Sequence, residues 1–263
     1  MAHPPPSRDH LIPGFHAVQE ALLSGRIQII EVWIREGREG SRASEVTEAA
    51  GNRSVPVHYK SAEEMDRLFR DLPHQGFVAR AGEYLYSDLE GIVKISSAVA
   101  GKGLILAADH ITDEGNLGAL VRTGAFFGAH GLLLPKDRSA AVTPKLLKRS
   151  AGALLHLPVA RVVNLGRALD TLKESGFWVI GAAGESGRSI YEFDWKRDLV
   201  LVVGSEDKGL SPLVRGKCDE IVAIPGSGRM ESLNVSVAAG AILSEIQRQR
   251  SEVGNQRSEK RKS

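Results

Sequence analysis

Leu199-Val200-Leu201-Val202-Val203-Gly204-Ser205-Glu206 is five aliphatic residues in a row, closed by Gly-Ser and a carboxylate. A run with no polar alternation leaves a strand no solvent face, so the strand must be covered on both sides, as in parallel sheets. Similar apolar runs stand at 104–109, 131–134, 159–163, 177–183 and 220–224. Between and after them lie helical stretches at 117–128, 143–153, 165–175 and 232–249. Buried strands alternating with helices predict an α/β domain built on a parallel sheet with helices on both faces. Ligands of such sheets sit beyond the carboxyl ends of the strands, where Glu206 stands.

Upstream the pattern is smaller in scale. Phe15–Leu23 reads as a helix, Ile29–Ile34 as a strand, 42–50 as a helix, Val55–Tyr59 as a short strand and 62–70 as a helix before Pro73. Signals weaken from Gly82 to Lys102, which reads as a linker. The expected organisation is a small α/β domain over 8–81, a linker over 82–102, a larger α/β domain over 103–249 and a disordered basic tail over 250–263.

Composition sets the class. At 263 residues, 42% hydrophobic and 25% charged, the chain is that of an ordinary globular protein. No apolar run approaches the ~20 residues of a membrane span, and Met1–Pro6 has no signal-peptide core. A single cysteine, Cys218, rules out an internal disulfide and suits a reducing cytoplasm. One thiol and scattered histidines give no metal-ligand cluster. The net charge is only +2, but residues 1–98 carry 11 basic against 14 acidic groups and residues 99–263 carry 23 against 18. Residues 247–263 hold 6 basic against 2 acidic groups without apolar periodicity, which fits either an RNA-holding arm or a solvated end.

The common nucleotide fingerprints are missing. There is no G-x-G-x-x-G, no G-x-x-x-x-G-K-[ST] and no G-x-S-x-G, which argues against a nicotinamide enzyme, a P-loop nucleotidase and an α/β-hydrolase. Three polar clusters take their place, each at a strand-to-helix junction: Asp109 to Arg122, Gly204 to Pro212, and Ile224 to Ala238. In the first, Arg122 is the single charge of the helix Asn116–Gly128, with Asn116 at the expected N-cap. Arginine is rarely buried unpaired, so Arg122 either faces water at a cleft or meets an acid, for which Glu206 is the candidate. Singly, Asn116 and Ser232 read as helix caps and Gly204 as a turn.

Taken in order, Asn116-x-Gly118-x-x-x-Arg122, Gly204-x-Glu206-x-x-Gly209-Leu210, and Ile224-Pro225 followed by Ser232-Leu233-Asn234-Val235-Ser236 resemble the three motifs of the SpoU (TrmH-type) ribose methyltransferases of the SPOUT class. Gly14–Val18 and His74-Gln75-Gly76 resemble that family's small substrate-binding domain. The resemblance implies a SPOUT domain with a deep trefoil knot, its knotted loop at 225–232, although threaded chains are otherwise nearly absent from proteins. It implies S-adenosylmethionine held in the knot by Gly204, Ile224 and Leu233, with Ala182 or Ala183 nearby. It further implies methyl transfer to the ribose 2′-hydroxyl of a guanosine in large-subunit (23S) ribosomal RNA. The alternatives are a tRNA ribose methyltransferase and an RNA-binding module without activity.

The site residues implied are Arg122, Asn116, Glu206, Ser232 and Asn234. A guanidinium holds its proton at ordinary pH, so Arg122 is expected to stabilise the developing alkoxide and clamp a phosphate, with Glu206 fixing its fork. Lys136, Arg138, Lys145, Lys148 and Arg149 form a basic rim that suits either RNA phosphates or solvent. Val235–Leu243 carries no charge. A helix apolar all round must be covered all round, either by a second subunit, in the family's habit of dimerising through its knot, or by residues 1–80.

Overall fold

The computed structural model describes residues 10–70, 73–99, 102–184, 188–230 and 232–259. These fall into two compact units, one over 1–85 with 142–148 and the other over 86–141 with 149–263. Residues 8–9 and 71–72 of the expected first domain, 100–101 of the expected linker, 185–187 of the expected larger domain, Glu231 of the expected knotted loop and 260–263 of the expected tail lie outside the described residues.

The N-terminal unit runs β1 (Leu11–Pro13), α1 (Phe15–Ser24), β2 (Ile27–Arg35), α2 (Ser41–Gly51), β3 (Val57–Lys60), α3 (Ala62–Leu68) and β4 (Phe77–Tyr84). Its four strands are ordered β1-β4-β2-β3, with β2 and β3 parallel and the other pairs antiparallel. Leu11, Trp33, Met65, Phe69 and Val78 pack together as one apolar core. Ser61 caps α3 by accepting from Glu64 N–H at 3.2 Å, and Glu63 and Glu64 sit in the first turn, where negative charge suits the helix dipole.

The C-terminal unit runs α4 (Leu89–Ser97), β5 (Leu104–Asp109), α5 (Glu114–Phe126), β6 (Gly131–Pro135), α6 (Pro144–Arg149), a 3-10 turn (Ala153–Leu155), β7 (Val159–Val162), α7 (Leu165–Glu174), β8 (Trp178–Ala182), β9 (Leu199–Gly204), α8 (Pro212–Arg215), β10 (Glu220–Val222) and α9 (Val235–Glu259). Residues 144–148 of α6 group with the first unit. The six strands form a wholly parallel sheet ordered β10-β8-β9-β5-β6-β7. Every residue of β9 is buried, as its unbroken apolar run requires.

Strand alternation separates the two faces. Ile105 and Ala107 of β5 pack with Ile92 of α4 and with Leu165, Leu169 and Leu172 of α7. Leu106 points the other way, where α5 approaches so closely that a Cβ on Gly124 would stand 2.4 Å from Leu106 Cδ1. α9 lies against α5 and β9.

Two expectations are corrected here. The stretch 82–102 is not a linker: its first residues finish β4, and Leu89–Ser97 is a helix. Asp88 caps that helix by accepting from Gly91 N–H at 2.7 Å, and Ile92 is fully buried in the sheet core. The tail is not disordered from 250, because α9 continues through Glu259. Gln249 and Arg250 are buried, and tertiary hydrogen bonds rather than apolar periodicity fix them. The Arg250 guanidinium donates to the carbonyls of Lys102 (2.8 Å), Gly103 (3.2 Å), Trp195 (3.2 Å) and Arg197 (2.7 Å). These carbonyls lie just ahead of β5 and β9, so α9 is fastened at the amino edge of the sheet.

Replacing Arg250 with Ala should strand the Lys102, Trp195 and Arg197 carbonyls, whereas the Gly103 carbonyl keeps the Leu199 N–H. Since each buried unsatisfied group costs about 1–3 kcal/mol, chemical denaturation should show a loss of about 3 kcal/mol or more.

Candidate functional site

The site forms where three segments converge on the carboxyl edge of the six-stranded sheet. The first is the opening turn of α5. Its N-cap is Asp113, whose Oδ1 accepts from the Asn116 N–H at 2.8 Å, and not Asn116 as the sequence suggested. That shift by three residues matters chemically, because it frees the Asn116 side chain. The second segment follows β9. Gly204 packs so tightly under the returning chain that a Cβ there would stand 2.1 Å from the Gly209 carbonyl carbon. Backbone bonds between Ser205 and Gly209 (3.1 and 2.8 Å) close the turn that presents Glu206 to solvent.

The third segment is the stretch between β10 and α9. β10 lies at the sheet edge beside β8, whereas Asn234 reaches Glu206 beyond β9 and Asn116 beyond β5. The chain therefore returns across the ends of β8 and β9, the route the expected trefoil requires. Asn234 Nδ2 donates to Asn116 Oδ1 at 3.0 Å and to Glu206 Oε1 at 2.5 Å. Its Oδ1 accepts from Ser236 N–H at 2.9 Å and from the Ser236 hydroxyl at 2.6 Å, which caps α9. One carboxamide thus joins all three segments.

Arg122 is exposed, so of the two alternatives it takes the solvent-facing one. The expected Arg122–Glu206 pair does not form: Glu206 receives the Asn234 amide, and Arg122 has no ion pair with a described acid. The buried positions of α5 are Leu117, Gly118, Leu120, Val121 and Gly124, and Arg122 falls off that stripe. Ser232 and Leu233 are also exposed.

The expected cofactor residues line adjoining strand ends. Ala182 closes β8, Gly204 closes β9, and Ala183 N–H donates to Val222 O at 3.0 Å, tying the end of β8 to β10 just before Ile224. Asp109 at the end of β5 is fully buried. Its carboxylate accepts from Ser211 N–H at 2.7 Å and lies 2.5 Å from His110 Nδ1, so it pins the turn after β9 to the end of β5. Burial pushes the Cys218 thiol up to about 12, which removes it as a nucleophile near neutral pH. No cluster of metal-ligating side chains exists among the described residues.

The missed group is Asp113. Its signal was readable, since an Asp three residues ahead of Asn116 has cap spacing. The basic rim divides: Lys145 and Lys148 group with the N-terminal unit, and Lys136, Arg138 and Arg149 with the C-terminal unit.

A parallel sheet with a polar, solvent-open cluster at its carboxyl edge defines a ligand-binding α/β domain. Comparison with known proteins makes that specific. Residues 103–244 match the SpoU rRNA Methylase family, and residues 11–87 match the RNA 2′-O ribose methyltransferase substrate binding domain. The chain belongs to the SpoU family, and its class is that of the SpoU/TrmH RNA methyltransferases. YacO of Bacillus subtilis (strain 168), which bears a TrmH family tRNA/rRNA methyltransferase name, is 37% identical over 94% of this chain and 98% of its own length. The SpoU methyltransferase AviRb from Streptomyces viridochromogenes, in complex with the cofactor AdoMet, is 27% identical with a TM-score of 0.73, covering 92% of this chain and 90% of AviRb. The A. aeolicus TrmH/SpoU tRNA modifying enzyme is 32% identical with a TM-score of 0.54, over 63% of this chain and 84% of its own.

The bridging amide is directly testable. Asn234→Asp keeps the cap acceptor but sets two carboxylates against each other. At pH 7 this should lower stability by about 1–3 kcal/mol, read by chemical denaturation. Lowering the pH until the pair shares one proton should shrink the deficit, because a protonated carboxyl donates where the amide did.

Proposed function

We propose that this protein transfers a methyl group from S-adenosylmethionine to the ribose 2′-hydroxyl of a guanosine in large-subunit (23S) ribosomal RNA. The observation that carries the reading is the Asn234 bridge, which assembles Asn116, Glu206 and Asn234 at the carboxyl edge from segments up to 118 residues apart. A helix cap alone would not require the reach to Asn116 and Glu206. It also weighs against an RNA-binding module without activity.

The residues present fit the cofactor. Ala182, Ala183 and Ile224 leave a partly open apolar surface, and Leu233, half exposed at 50%, stands over the same edge. Gly226 and Gly228 have open space around their α-carbons, so backbone can approach a ligand closely. When bound, the sulfonium supplies an already activated methyl carbon. What remains for the protein is to hold the hydroxyl in line and to ease its deprotonation.

Arg122 serves the acceptor. With Glu206 held by Asn234, its guanidinium is left free for the developing alkoxide and an adjacent phosphate. Asn116, Glu206 and Asn234 form the polar floor, and the exposed Ser232 hydroxyl is open to substrate. The N-terminal domain binds the RNA. Its presence favours ribosomal RNA over tRNA, because the tRNA modifying enzyme from A. aeolicus covers only 63% of this chain. Among the described residues no helix is long and apolar enough to cross a membrane, and the lone cysteine suits cytoplasmic work.

The protein works as a homodimer through the α9 region. The case rests on a different face from the one the sequence suggested: Ala239 and Ile242 are buried within the chain, at 0% and 1% exposure, so a core-facing stripe does exist. Val237, 56% exposed, marks the uncovered side.

Isothermal calorimetry should show S-adenosylmethionine binding that NAD does not compete with; absence of binding in the presence of RNA would remove the reading. Assays on unmodified transcripts of large-subunit rRNA and of tRNA should give methylation of the first. Arg122→Ala should reduce turnover by about a hundredfold or more with cofactor affinity retained. Arg122→Lys should also fail, since a point charge lacks the fork.

Light scattering tests the assembly. The unmodified protein should run as a dimer, and Val237→Glu should split it with little loss of thermal stability. An active monomer at micromolar concentration would refute the dimer.

A further inference from the structure

Arg149 is one cation of the basic rim that the reading above does not use. It is the last residue of α6 and lies across the first turns of α5. A Cβ on Gly118 would stand 3.0 Å from Arg149 Cβ and 3.2 Å from its carbonyl carbon. A Cβ on Gly115 would stand 3.0 Å from Arg149 Nη1. Two missing side chains therefore open a groove along α5, and the arginine runs up it towards the end that presents Asn116.

The acid at the end of the groove is Asp113, whose Oδ1 stands 2.9 Å from the same Cβ position on Gly115. Its Oδ1 accepts from the Asn116 N–H, and no ion pair or side-chain hydrogen bond joins the Arg149 guanidinium to it. Arg149 is exposed, so its charge is solvated rather than stranded. Packing holds its stem while the fork stays free.

Position on the helix completes the case. Residues 115, 118 and 122 are spaced i, i+3 and i+7 and share one face of α5. Side chains on a helix lean towards its N-terminus, so Arg122 leans from that face towards Gly118 and Arg149. Gly115 and Arg122 are about 10 Å apart along the axis at ~1.5 Å per residue. That interval is spanned by two arginine side chains converging on one nucleotide.

We propose that Arg149 is a positioning residue that anchors an RNA phosphate next to the acceptor ribose, while Arg122 attends the 2′-oxygen. The proposal rests on the methyltransferase reading above. A planar fork suits bidentate phosphate binding, and fixing the phosphate fixes the sugar attached to it. Arg149 acts through substrate placement and takes no part in bond making.

The test uses the full-length protein, S-adenosylmethionine and whichever of the two unmodified transcripts, large-subunit rRNA or tRNA, is methylated. Arg149→Gln should raise the KM for RNA about tenfold or more, with a smaller change in kcat. The slope of log affinity for RNA against log salt should fall by about one. Arg149→Lys should restore that slope without restoring the KM. Cofactor affinity measured without RNA and the melting temperature should stay at their wild-type values.

An unchanged RNA KM and salt slope in an otherwise active Arg149→Gln protein would overturn the proposal. So would a parallel fall in cofactor affinity and melting temperature, which marks a structural role. If the unmodified protein methylates neither transcript, the methyltransferase reading fails instead. RNA binding by fluorescence anisotropy then decides on Arg149, with an equal salt slope in wild type and Arg149→Gln overturning the anchor.

Discussion

The Asn234 carboxamide is the constraint on which the C-terminal domain turns. A carboxamide presents two donors on its nitrogen and one acceptor oxygen, and all are in use. Nδ2 donates to Asn116 and Glu206, and Oδ1 accepts from the start of α9. No apolar residue could replace it, and a carboxylate would lack the donors. Because Asn234 also caps α9, the helix cannot begin until the chain has crossed the ends of β8 and β9. The site and the last helix are specified together.

Gly204 supports the same junction from below. With no Cβ it lets the Gly209 backbone close over the end of β9, and that closure holds Glu206 beneath Asn234. The buried Asp109 carboxylate then ties Ser211, just past the turn, to the end of β5. Three strand ends are thus registered by one missing side chain, one amide and one buried acid. Local precision of this kind suits a reaction in which an oxygen must meet a methyl carbon in line.

Much of this was legible in the residues. The unbroken run Leu199–Val203 led to the parallel sheet, because a two-sided burial pattern admits little else, and the three polar clusters fell at the correct junctions. What escaped depended on tertiary hydrogen bonding. The stripe Leu89, Ile92, Val93 and Ser96 has helical spacing behind a capping Asp88, but it lies among weak signals that read as a linker. Gln249 and Arg250 are polar, and only the carbonyls they meet show them to be buried. The Arg122–Glu206 pair was inferred from charge alone, and charge does not say that a neutral amide will reach the carboxylate first. Nor does an uncharged stretch such as Val235–Leu243 show which of its faces the chain itself covers.

The domain treats its arginines in two opposite ways, and the contrast separates structure from function. Arg250 is buried at the amino edge, where four backbone carbonyls take its donors and Asp198 lies near enough to favour its charge. Burial lowers its pKa from the ordinary value, the expected cost of a cation held away from water, and tight carbonyl contacts offset that cost. Arg122 stands on α5, whose first turn lies at the opposite edge, and Arg149 closes α6 and packs against the same helix; both are exposed and neither has an ion pair with a described acid. A cation placed only for stability would be expected to follow Arg250 and find acceptors. In the methyltransferase reading proposed above, Arg122 on α5 and Arg149 packed against that helix are left for an anion that arrives from outside the chain.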